Sequence, residues 1–81
     1  LGGVIFMVKF ENIMVSGEYI YALETDLLSG ESCKIKLHIS KEEYECEGNL
    51  SSNYMVKALW CLQRRLRENK KLNSVEVMSW G

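Results

Sequence analysis

Hydrophobic and polar residues alternate with a period of two through the first half of the chain, and the period changes to about 3.6 after Asn53. Val4 to Phe10 is rich in β-branched and aromatic residues and reads as a strand that can run on to Val15. Ser16-Gly17 signals a turn. From Glu18 to Leu28, Tyr19, Tyr21, Leu23 and Leu27 fall on one side and Glu24 and Asp26 on the other, a long strand partly solvated on one face. After the turn at 29–32, Cys33, Ile35, Leu37 and Ile39 share one face of a third strand, with Lys34, Lys36 and His38 on its back. Glu43, Glu45 and Glu47 alternate with Tyr44 and Cys46 in a fourth. Paired as a hairpin, the third and fourth strands would set an acidic row against a basic one. Opposite charges across strands contribute about 0.2–1 kcal/mol each, so this pattern predicts the register.

Gly48-Asn49 breaks the strand, and the hydroxyl of Ser51 or Ser52 can cap the helix that follows. From Asn53 to Lys71, Met55, Ala58, Leu59, Leu62 and Leu66 make one buried stripe, and Arg67, Lys70 and Lys71 crowd the dipole-negative end. Ser74 to Trp80 reads as a closing strand with Val75 and Val77 inward. The expectation is an α+β domain of β-β-β-β-α-β order, an antiparallel sheet of four to five strands with one helix packed across one face. Its expected core is Ile35, Leu37, Ile39, Tyr44, Met55, Ala58, Leu59, Leu62, Leu66, Val75 and Val77.

The 81 residues allow one domain, spanning 1–81. Met7-Val8-Lys9-Phe10 reads as a natural start, so residues 1–6 are expected to be a non-native leader and carry no functional expectation. No apolar run approaches the roughly 18 residues of a membrane span, so no membrane partner is expected. The net charge of −1 conceals a split: residues 11–50 hold nine acidic and three basic side chains, whereas residues 51–81 hold six basic and two acidic ones. That imbalance can give opposite faces opposite potential.

The helix sharpens the split. At 100° per residue Trp60 falls about 160° from Leu62, among Lys57, Arg64, Arg67 and Lys71. An outward indole could lie on Arg64, gaining about 0.5–1 kcal/mol. Tryptophan and arginine are the residues of binding hot spots. Three readings compete for Trp60. It folds over the helix flank onto a sheet edge or the last strand; it lies at a protein contact, most simply a homodimer; or it stacks on a base of single-stranded nucleic acid held by the basic stripe. The order of elements, with one helix, does not fit a two-helix βαββαβ RNA-binding sheet.

Chemistry has little to build on. Cys33, Cys46 and Cys61 are odd in number and widely spaced, as expected of free thiols in a reducing cytoplasm. The single histidine, His38, is expected on the solvent side of its strand, paired with the glutamates of 43–47, and alternation puts Cys33 on the opposite face. Paired ligand spacings, calcium loops and phosphate loops are missing from the sequence, so no cofactor or metal is expected. The expectation is a non-enzymatic cytoplasmic interaction module, homodimeric or docking a partner through Lys57, Trp60, Arg64, Arg67 and Lys71, with single-stranded nucleic-acid binding as the alternative.

Overall fold

The computed structural model describes residues 5–48, 50 and 52–80. Its elements are β1 (Phe6–Ser16), β2 (Tyr19–Asp26), β3 (Ser32–His38), β4 (Tyr44–Cys46), α1 (Asn53–Asn69) and β5 (Glu76–Trp80). The order is the expected one, and the fold is α+β. Residues 1–4 lie outside the described residues, and with them the strand start expected at Val4 and most of the leader assigned to 1–6. Phe6 is part of β1: it pairs with Trp80 and its ring lies 4.6 Å from that of Tyr54.

All strands are antiparallel neighbours, in the order β4-β3-β2-β1-β5. The chain therefore leaves the sheet at one edge, β4, and re-enters at the other, β5. A helix of 17 residues is about 25 Å long, and five strands span about 19 Å between the outer two, so α1 bridges the sheet in one pass. It covers one face only.

The hairpin register follows the charge pattern: Lys36 pairs with Glu45 across β3 and β4, and their side chains form an ion pair at 3.6 Å. In β1 an extra residue between Glu11 and Met14 forms a bulge, with Asn12 left-handed at φ 56°. The bulge rephases the strand. Ile13 packs on the core, and Met14 stays on the same face as Glu11.

The core under the helix is Val8, Phe10, Ile20, Ala22, Cys33, Ile35, Leu37 and Met78 from the sheet, against Met55, Ala58, Leu59 and Leu62. Four expectations are corrected. β2 is turned over: Ile20, Ala22, Glu24 and Asp26 point to the helix, and Tyr19, Tyr21 and Leu23 to the open face. β5 is turned over too, with Glu76 and Met78 buried while Val75 and Val77 are 48% and 42% exposed. Tyr44 lies at the β4 edge and is exposed, whereas Ile39 and Leu66 are partly buried. His38 is buried rather than solvated.

Partners explain the burial of Glu76 and Asp26. Glu76 accepts from Arg65 Nη1 at 2.7 Å and from the Asn73 N–H at 2.9 Å. Asp26 accepts from the Tyr54 hydroxyl, from Ser29 Oγ at 2.8 Å and from the Leu28 N–H at 2.9 Å. A buried carboxylate is tolerated when it is hydrogen-bonded and paired.

At the helix ends, Ser52 takes the N-cap position with an extended backbone, but its hydroxyl accepts no capping hydrogen bond from the first turn, and Ser51 lies outside the described residues. Lys70 closes α1 in the left-handed region, its N–H bonded to the Leu66 carbonyl at 2.6 Å. The helix thus stops at Asn69, short of the expected Lys71.

Candidate functional site

The five residues expected to form a docking stripe do not share one surface. Lys57, Arg64 and Arg67 are exposed along α1. Trp60 is partly buried: its ring meets Tyr44 edge-on, 5.9 Å away at 72°, and packs on the core at the β4 edge. Lys57 reaches the other way, its ammonium 5.7 Å from the ring of Trp80 on β5. Lys71 lies past the left-handed Lys70, off the helix, near Ile13, Val15 and Leu72. The expected contact of Arg64 with the indole is therefore replaced by an aromatic pair. Of the three readings, the fold over a flank onto a sheet edge describes Trp60.

The side chains that are left without a cover lie on the opposite side of the sheet. The cross-strand registers place them in rows: Val77, Lys9, Thr25 and Ser32; then Glu11, Leu23 and Lys34; then Met14, Tyr21, Lys36 and Glu45. Met7 and Tyr19 complete the face. Met14 is 59% exposed, and Met7 and Val77 are also exposed. The Lys36 ammonium sits 4.3 Å from the Tyr19 ring centre, and Lys9 pairs with Glu11 at 3.6 Å. Sequence reasoning missed this face because it turned Tyr21, Leu23 and Val77 inward. The available signal was the second apolar set, Ile20 and Ala22, in the same strand as Tyr21 and Leu23.

His38 is tied into the fold. Its Nδ1 accepts the N–H groups of Ser40 at 3.1 Å and Lys41 at 3.0 Å, which leaves the ring proton on Nε2, 3.9 Å from a Glu18 oxygen. Its ring meets Tyr19 edge-on at 5.3 Å. Gln63, buried on α1, donates to the carbonyls of His38 at 2.8 Å and Lys41 at 2.9 Å, fastening the helix to the β3–β4 turn. Nothing in the apolar pattern singles out Gln63.

Burial pushes two groups, Glu24 and Cys33, well above their ordinary values. Burial first, and the charge of Asp26 second, raise Glu24 from 4.5 to about 8. Neither of its carboxyl oxygens meets a hydrogen-bond partner among the described residues. Burial, then Glu24 and Cys46, push the Cys33 thiol up to about 11, so it is held as the unreactive thiol. All three cysteines are free. Among the described residues no group of three or more His, Cys, Asp and Glu side chains could hold a metal ion, and no helix is long and apolar enough to cross a membrane.

Together these features define an α+β domain whose sheet has one face covered by α1 and one face open among the described residues. No known protein family, curated protein or solved structure matches the chain.

Proposed function

We propose that the domain is a non-enzymatic interaction module that docks a protein through the open sheet face, in the reducing cytoplasm to which three free thiols are suited. The observation that carries this reading is the run of Met7, Met14, Tyr21, Leu23 and Val77 on a face that no element of the described chain covers. A sheet face of this kind gains by exclusion of water about 25 cal/mol for each Å² of apolar surface covered. Its charges favour a protein over a nucleic acid. Lys9, Lys34 and Lys36 are offset by Glu11 and Glu45, so the face lacks the positive field that phosphate binding needs. The exposed cations of α1 remain, but the indole that would stack on a base is taken up by Tyr44.

Cross-linking the chain to its bound partner tests the reading. Leu23→Glu should release that partner, while Arg64→Glu with Arg67→Glu on the helix should retain it. The reverse pattern would replace the sheet face with the helix. Binding of single-stranded RNA at about 50 mM salt, lost on Arg64→Glu, would replace the protein partner with a nucleic acid.

A further inference from the structure

We infer that the partner of the open face is a second copy of this chain, related by a two-fold axis that runs parallel to β2 through Leu23 and sets Glu11 of each copy against Lys34 of the other. The inference rests on the docking reading above and adds the identity and geometry of the partner. β2 is the central strand, and Leu23 is paired with Glu11 on one side and Lys34 on the other, so the three lie in one row across the sheet. Adjacent strands are about 4.8 Å apart. A two-fold along β2 turns β1 of one copy over β3 of the other at the same height. Leu23 then meets the partner's Leu23, and Glu11 meets the partner's Lys34 on both sides of the axis.

The neighbouring rows agree. Lys9 falls opposite the partner's Ser32. Met14 falls opposite the partner's Lys36, whose ammonium is already engaged by Tyr19 and Glu45 so that its hydrocarbon stem is presented. No like charges face each other in these rows. The other in-plane two-fold, at right angles to the strands, would stack β3 on β3 and oppose lysine to lysine. Facing sheets pack about 10 Å apart and about 30° from aligned, so the axis bisects the two β2 directions at about 15° from each, which offsets groups 5 Å from the axis by roughly 2–3 Å, within reach of a lysine side chain.

The edges do not compete. Arg65 lies over β5, donating to Glu76 and, at 3.4 Å, to the Val77 carbonyl. β4 is three residues long and flanked by Glu43 and Glu47. Short, charged or covered edges resist strand addition. A face about 24 Å wide and about 23 Å long offers on the order of 550 Å² per copy, near the small end of specific interfaces, so a micromolar dimer is expected.

Sedimentation equilibrium on the full chain from about 1 to about 200 μM reads the dimer directly. Wild type should dimerise, and Glu11→Lys or Lys34→Glu alone should weaken dimerisation by about tenfold or more, since each change creates two like-charge contacts. Mixing the two single variants should restore association as a heterodimer, because both contacts then pair opposite charges. Unchanged circular dichroism confirms that each variant is folded. A wild type that stays monomeric, single variants that dimerise as wild type does, or a mixture that fails to associate would each overturn the inference. If wild type is monomeric but a different protein is released by Leu23→Glu, only the second copy is excluded; if a wild-type dimer survives Leu23→Glu and no other protein depends on that residue, the docking reading falls as well.

Discussion

Replacing Glu24 should make this protein more stable, and the gain should grow with pH. Glu24 is fully buried between Phe10 on β1 and Cys33 on β3, beneath the helix, and neither oxygen meets a hydrogen-bond partner among the described residues. The charged groups near it are no help: Asp26 lies two residues along the same face and is itself held by Tyr54. Because the folded-state value is raised, the destabilisation is absent below about pH 4.5, where folded and unfolded chains are both protonated. It accumulates as pH rises, since the unfolded chain ionises first, and is complete near pH 8. A shift from 4.5 to about 8, at roughly 1.36 kcal/mol per unit, amounts to about 5 kcal/mol. The whole domain is held by only about 4–12 kcal/mol, so this one side chain governs its alkaline stability. Urea unfolding at pH 5, 6.5 and 8, sampling a slope of about 1.4 kcal/mol per pH unit, follows the effect. Wild type should lose stability steadily across the series. Glu24→Gln should remove most of the slope, and Glu24→Leu should remove it and add about 1–3 kcal/mol at pH 5 by replacing an unpartnered polar group with an apolar one. A Glu24→Leu protein that is less stable than wild type at pH 8, or that keeps the slope, would refute the reasoning.

The acid limb should run the other way. Burial alone would raise Asp26 and Glu76, but hydrogen bonds from Tyr54, Ser29 and backbone N–H groups, and from Arg65 and Asn73, outweigh it and hold both below the usual carboxylate range. Their contribution is present above about pH 4 and is lost as pH falls through the lowered values, so stability should peak in mildly acidic solution. Tyr54→Phe should lower that peak by about 1–2 kcal/mol and move acid unfolding to higher pH, followed by circular dichroism. Gln63→Ala strips the buried carbonyls of His38 and Lys41 of their donor. It should cost about 1–3 kcal/mol in urea unfolding and loosen the β3–β4 turn, seen as faster amide exchange at Ser40 and Lys41. Trp60→Ala removes the edge contact with Tyr44 and part of the core cover, at about 1–3 kcal/mol in thermal unfolding. It should leave sedimentation unchanged, because Trp60 lies on the helix side of the sheet; a loss of association would return the docking surface to the helix.

Much of the architecture is written in short-range pattern. The alternation of β3 and its opposite-charge match with β4 specify a register that needs no other strand, and Lys36 meets Glu45 as the pattern requires. The leucine stripe from Met55 to Leu62 specifies the covered side of α1 just as directly. β2 and β5 are different because both carry apolar residues on each side: Tyr19, Tyr21 and Leu23 against Ile20 and Ala22, Val75 and Val77 against Met78 and Trp80. Alternation then says that such a strand has two faces without saying which one is covered. The choice falls to partners distant in sequence: Arg65 for Glu76, Tyr54 for Asp26, and a helix that shelters one side of the sheet. Trp60 follows the same logic. The helical angle directs its Cβ, but a side chain that long settles where an aromatic partner lies, and only the folded sheet brings Tyr44 there. The amino-acid order alone determines the periods, the turns and the number of elements, because these arise between residues a few positions apart. Which faces are buried, and so which surface is left to meet another molecule, is decided only when all the elements compete for the same core.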